Sequence, residues 1–177
     1  MIRLSLVIVS VGMMISASVS AATKDKAAKS QKENAPVAAS PECTVSIQAV
    51  EGMKFADSNG KDLKEIKIPE KCRTQVIQFN LEDKAAAPKI AMGHNLVIHE
   101  QAKQAVIVAD ALKAGPAAEY LPTTKDGVLG HTRTLGPNEK DSIVINAGSF
   151  KKGTDYAYVC TFVGHNAVMN GKIIFVK

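Results

Sequence analysis

Three side chains able to bind a soft or borderline metal ion stand within ten residues near the end of the chain. They are Cys160, His165 and Met169, in the run Cys160-Thr161-Phe162-Val163-Gly164-His165-Asn166-Ala167-Val168-Met169. A second imidazole lies upstream, His94 in Ala91-Met92-Gly93-His94-Asn95. Together they offer two nitrogens, one thiolate sulfur and one weak thioether sulfur. Cu(I) favours soft sulfur and Cu(II) favours imidazole nitrogen, so this donor set is a compromise between the two oxidation states. The chemistry it suggests is one-electron cycling of a single copper ion in a blue-copper type of site. A rigid frame would let the donors stay nearly still as the electron arrives. Backbone N–H groups aimed at the Cys160 sulfur would raise the potential by stabilising the reduced state.

Taken singly, each residue has a plainer reading. A loop histidine is more often solvated or hydrogen-bonded, Met169 beside a strand is more often core, and Cys160 alone could be a buried hydrophobe. Zinc accepts the same nitrogen and sulfur donors, although a thioether gives little reason to choose it. A Cys160–His165 catalytic pair is a further option, with no third, orienting group identified. A copper oxidase would need more ligands than the four histidines of the chain supply. Copper storage or delivery, and a docking module with a structural metal, complete the alternatives.

The elements that must position these residues read mostly as strands. Asp155–Val159 before Cys160 and Gly171–Val176 after Met169 are both strand-like, which makes the donor run the loop of a hairpin. Upstream, Val45, Ile47 and Ala49 alternate with polar residues from Cys43 onward, the period of a half-buried strand. Leu63–Ile68, Thr74–Leu81 (a strand that Cys72 is read to begin), Leu96–Ile98, Val128–Leu135 and Ser142–Ile145 read likewise. Gly52–Phe55 is ambiguous, and Asp57-Ser58-Asn59-Gly60 is a turn signal. Residues 101–121 differ: Ala102, Ala105, Val106, Ala109 and Leu112 recur at helical steps and stop near Gly115-Pro116. The expected fold is therefore all-β, a Greek-key sandwich or barrel of about eight strands with one inserted helix.

Length and composition suit one domain with a real core: 177 residues, 46% apolar. Of the net charge of +5, +3 lies in the first 40 residues, so the domain itself is nearly neutral. No basic patch interleaved with aromatics marks a nucleic-acid partner. Residues 1–22 read as a secretory signal peptide, with Arg3 ahead of an apolar run and the small residues of Val19-Ser20-Ala21-Ala22 for cleavage after Ala21 or Ala22; the alternative is an uncleaved anchor. Residues 23–41, rich in Ala, Lys and Ser, read as a flexible tether. The three cysteines allow one disulfide and one free thiol; if Cys43 pairs with Cys72, Cys160 is the thiol left over.

The stretch 42–177 resembles the azurin branch of the cupredoxin, or blue-copper, family. The likeness is carried by Glu42–Ile47, Met92-Gly93-His94-Asn95, Gly130-His131-Thr132, Glu139–Ser142 and above all Cys160–Gly171. It implies that His94, Cys160 and His165 are equatorial copper ligands, Met169 a weak axial ligand and the Gly93 carbonyl a second axial approach. It implies further that Asn95 and Thr161 tie the two ligand loops together, that the Phe162 N–H donates to the Cys160 sulfur, and that Cys43 and Cys72 form the disulfide. His131 is implied to be a surface residue; His99, after a strand, reads as solvated or hydrogen-bonded.

The function so implied is a periplasmic electron carrier, not an enzyme, that shuttles single electrons between c-type cytochromes and copper reductases. It would dock transiently, as a monomer, through an apolar patch of Met53, Met92, Phe162, Val163 and Ala167 around the exposed edge of His165. Periplasmic copper delivery is the alternative. Three positions depart from the resemblance. Leu96 stands where many azurins carry Trp, and the chain has no Trp. Val163 replaces a common Pro. Asp83 stands where some azurins carry a pH-sensitive His, so that switching is not expected.

Overall fold

The computed structural model describes residues 38–177. The expected leader, 1–22, and the tether up to residue 37 lie outside the described residues. Among the described residues nine strands form two sheets. The first sheet has the order β2-β1-β4-β7, from Lys54–Ala56 (β2), Thr44–Val50 (β1), Ile77–Asp83 (β4) and Lys140–Ile145 (β7). The second has the order β3-β9-β8-β5-β6, from Glu65–Pro69, Asn170–Val176, Tyr156–Val159, Val97–Glu100 and Val128–His131. The β1–β4 and β3–β9 pairs are parallel and the others antiparallel. A short helix α1, Lys89–Met92, precedes the His94 loop, and α2, Gln104–Ala114, is the expected insertion.

Period-two burial builds the core. Ile77, Phe79 and Leu81 of β4 face inward together with Ile47 and Ala49 of β1, opposite Ile98 and Tyr158 of the other sheet. Phe55 and Tyr158 meet edge to face at 5.8 Å, and the Tyr158 hydroxyl donates to the Leu63 carbonyl at 2.6 Å. Leu96, in place of a tryptophan, is wholly buried in the same core.

Two local expectations are corrected. Cys43 and Cys72 lie not in strands but in single 3-10 turns, Pro41–Cys43 and Glu70–Thr74. Pro at the start of one turn and Pro69 before the other fix that geometry. In α2 the buried residues are Ile107, Val108 and Ala111, and Ile107 and Val108 pack with Val97 and Val159 on the outer face of the second sheet. Ala102, Ala105, Val106, Ala109 and Leu112, the stripe read from the sequence, are exposed. A helix apolar nearly all round carries two overlapping stripes, and packing selected the other one. Gly115, at φ +71, ends α2 by donating its N–H to the Ala111 carbonyl.

Cys43 and Cys72 form a disulfide that closes a separation of 29 residues. Reduction, or substitution of both by alanine, is expected to lower stability by about 3–4 kcal/mol on the chain-entropy view. Denaturant titration of the metal-free protein with and without reductant measures this. A change under 1 kcal/mol would show that the bond constrains little in the unfolded chain.

His99 is a wholly buried residue of β5, not a solvated one. Its Nδ1 lies 2.9 Å from the Glu100 carbonyl, and its Nε2 has no partner. Burial holds this imidazole below the usual histidine range. The unfolded chain therefore binds a proton here first as pH falls past about 6.5, so stability is lost below that pH. One such proton is worth at most about 1.4 kcal/mol per pH unit. Denaturation midpoints of the metal-free protein should fall from pH 7.5 to pH 5, less steeply for His99→Leu. Parallel slopes for both proteins would refute this.

Candidate metal centre

The candidate donors Cys160, His165 and His94 come together at one end of the sandwich. Cys160 follows β8, Met169 precedes β9, and the loop between them is laced by its own backbone. The Cys160 N–H donates to the Met169 carbonyl at 2.9 Å, the Met169 N–H to the His165 carbonyl at 2.8 Å, and the His165 N–H to the Phe162 carbonyl at 3.0 Å. His94 enters from the loop between α1 and β5, pinned by reciprocal backbone bonds with Leu135 at 3.0 and 2.7 Å.

Cys160 Sγ and His165 Nδ1 are 3.7 Å apart, and the His94 and His165 rings lie 5.0 Å centroid to centroid. Cys160, His94, His165 and Met169 are all buried. His94 spends its Nδ1 on the Asp83 carboxylate, Oδ2 at 2.8 Å, which leaves its Nε2 buried and without a partner. Among the described residues no three His, Cys, Asp or Glu side chains converge fully on one point. The donors are adjacent rather than closed around a centre.

The electrostatics suit a metal. Burial pushes the Cys160 thiol up to about 12, against the opposing pull of the Asn95 and Phe162 backbone N–H groups. Burial, then the neighbouring His94, pushes the His165 imidazole down to about 4. Without metal, Cys160 is thus a thiol and His165 a neutral base, and a metal must displace the thiol proton on binding. A free buried cysteine, a neutral imidazole and an orphaned histidine nitrogen fit copper.

The surroundings hold both ligand loops in register. Asn95 Oδ1 accepts the Thr161 N–H at 2.8 Å, and Asn95 Nδ2 donates to Thr134 Oγ1 at 3.1 Å. Thr161 Oγ1 donates to the Tyr120 carbonyl at 2.6 Å and Thr134 Oγ1 to the Glu119 carbonyl at 2.7 Å. Glu119 and Tyr120 both have positive φ. Gly93 has no room for a side chain: a Cβ would stand 2.6 Å from Thr134 Cγ2 and 2.7 Å from the Lys89 carbonyl oxygen.

A family model described as copper binding proteins, plastocyanin/azurin family, matches residues 41–176. The chain belongs to this family. Azurin of Alcaligenes faecalis is 34% identical over 131 residues, which covers 74% of this chain and 96% of that protein. Azurin of Bordetella pertussis is 34% identical over 140 residues, covering 79% and 87%. Among solved structures, an azurin (Az-iso2) of Methylomonas sp. strain J shares the fold at a TM-score of 0.66 and 24% identity, over 76% of this chain and 98% of that one.

As an azurin-family cupredoxin the chain is a copper electron-transfer protein rather than an enzyme. No helix among its described residues is long and apolar enough to cross a membrane. The disulfide is consistent with export.

Two site expectations change. Phe162 does not belong to an exposed patch: it is 5% exposed, with its ring against Tyr120 at 5.1 Å and His165 at 5.0 Å. The edge of His165 is covered as well, at 2% exposed. Val163 and Ala167 are exposed as expected, while Met53 and Met92 are half-buried. Sequence reading missed Val168, exposed on the same loop, and Ile90, 92% exposed on α1. Ile90 shares a cleft of about 280 Å³ with Phe162, Tyr120 and Thr134. Pro88, two residues before Ile90, was the available signal, since proline starts a short helix whose outer face is exposed. His131 is half-buried, with Nδ1 3.0 Å from the Thr132 carbonyl.

Proposed function

We propose that the protein is a periplasmic one-electron carrier in which His94, Cys160 and His165 would hold copper, with Met169 and the Gly93 carbonyl as weaker donors. The supporting observation is the buried free thiol of Cys160, 3.7 Å from His165 Nδ1, beside a histidine whose second nitrogen is unpaired. When bound, copper supplies a reversible Cu(II)/Cu(I) couple. The chain's part is to exclude water, hold the donors and set the potential, through the N–H groups of Asn95 and Phe162 near the sulfur.

Exchange with c-type cytochromes or copper reductases is the proposed traffic. Brief docking needs only a small apolar contact. Val163, Ala167 and Val168, exposed on the loop that carries His165, would supply it, with Met53 and Met92 at partial exposure. Copper delivery fits less well, because an exchangeable site needs open donors and Cys160 is wholly buried.

Titration of the metal-free protein with Cu(II) tests the function. An intense blue band that reductant bleaches reversibly is expected. A colourless or pale complex would overturn the reading.

A further inference from the structure

The outer face of the second sheet holds a buried imidazole that no role above uses. Val97 and His99 alternate with Ile98 and Glu100 on β5, so the two share one face. Their partners on β8 are Val159 and Ala157. On that face Val97 and Val159 pack against Ile107 and Val108 of α2, with Val128 of β6 beside them. Ile98 and Tyr158 turn the other way, into the core between the sheets. The apolar contact that holds α2 is therefore a small cluster of its own, and His99 lies in the same layer, wholly buried.

That layer suits a neutral ring and not a cation. Nδ1 lies 2.9 Å from the Glu100 carbonyl, and Nε2 has no partner. Burial lowers the affinity of the ring for a proton, against the raising pull of that carbonyl. Across the sheet the ring is flanked by Ala157 and Val128, neither of which carries a charge. On the covering segments Lys103 is paired with Asp126 at 2.7 Å, and Asp110 is taken up by the N–H groups of Thr123 and Thr124 at 2.6 and 2.8 Å. Lys113 stands in the last turn of α2. The carboxylates of Glu100 and of Asp155, just before β8, make no hydrogen bond to the ring. A proton on His99 would thus be a buried charge without a counter-charge, which is costly.

We propose that His99 is an acid latch: when its ring takes up a proton, α2 lifts from the outer face of the second sheet while the core between the sheets stays folded. The inference is independent of the copper function proposed above. A layer held by few apolar contacts opens locally, at less cost than global unfolding. Gly115, at φ +71, gives the chain a flexible exit from the helix. Opening hydrates the ring and lets it bind its proton. The closed state is therefore at full strength above about pH 6.5, and the open state gains as pH falls below it. For a ring that titrates normally once exposed, the opening equilibrium at pH 5 rises about 30-fold.

Hydrogen exchange of the full-length chain, resolved by residue and corrected for the intrinsic exchange rate at each pH, is the test. The N–H groups of Val108, Ala109 and Ala111 in α2 should be less protected than those of Phe79 and Leu81 in β4. Their protection should fall about 10- to 30-fold between pH 7.5 and pH 5 in wild type, and stay nearly level in His99→Leu. Helix N–H groups as well protected at pH 5 as those of β4 would overturn the latch, because the helix would then leave only with the whole fold. An equal fall in His99→Leu would overturn it too, by taking the proton away from His99. Should the variant not fold, the wild-type profile decides. Protection of α2 that is level above about pH 7 and falls with a one-proton slope below about pH 6.5 is expected, and a profile level down to pH 5 refutes the latch.

Discussion

Cys160→Ser is expected to abolish the blue band and the reversible redox couple together while leaving the fold intact. The side chain is wholly buried at the end of β8. Serine is nearly isosteric, and its oxygen can still accept from the Asn95 and Phe162 N–H groups that face the sulfur. The metal-free variant should therefore unfold within about 2 kcal/mol of wild type, the scale for one buried hydroxyl with partners. What disappears is the soft donor. A hydroxyl does not ionise as a thiol does and offers no thiolate electrons to the ion, so any Cu(II) complex should be pale.

Proton counting gives a second readout of the same substitution. Burial pushes the Cys160 thiol up to about 12, so the wild type at neutral pH enters the titration protonated. Copper uptake should release one proton per ion from wild type and none from this position in the variant. A pH-stat titration measures the difference. A blue Cys160→Ser complex, or equal proton release from both proteins, would remove Cys160 from the site.

The second large effect is expected at Asn95. Its amide ties three loops: it accepts from Thr161, next to Cys160, donates to Thr134, and belongs to the segment that carries His94. Asn95→Leu fills similar space and leaves the Thr161 N–H buried without its partner. An orphaned buried N–H and a lost hydrogen bond together cost about 2–4 kcal/mol. For a domain of this size that is a fall of roughly 10 °C in Tm. Calorimetry of the copper-free variant checks the stability. The blue band of the loaded variant should also broaden, because the two ligand loops no longer share an anchor. A Tm within 2 °C of wild type would show that Glu119 and Tyr120 hold Thr134 and Thr161 without help from Asn95.

How much of this was legible in the sequence depends on the range of the forces involved. The alternation of Ile77, Phe79 and Leu81 is a local consequence of the strand repeat, and it was read correctly. The loop between β8 and β9 was legible because Cys160, His165 and Met169 lie close in the chain. Which face of α2 is buried was not legible, because Val106 and Ile107 are equally apolar and only the sheet beneath selects between them. Phe162 is apolar in a loop, and nothing local tells whether its ring turns outward or packs on Tyr120, 42 residues earlier. Asp83 was read only for the histidine it replaces. Its meeting with His94 is made by the crossing from β4 to β5, eleven positions on in the chain, which the intervening residues do not announce.

The parallel pairing of β9 with β3 sets an order of assembly. Lys172 to Val176 lie beside Glu65 to Pro69, about a hundred residues earlier in the chain. A chain made N-terminus first thus has His94 long before it can close the second sheet. The other three donors arrive together on the last hairpin, between β8 and β9. Contacts of such sequence separation form late and slowly. An ion that met the unfinished chain would find one of the four proposed side-chain donors, His94, without Cys160, His165 or Met169. On the proposed ligand set, copper capture would therefore be a closing event, with the sandwich building the cradle before the metal arrives.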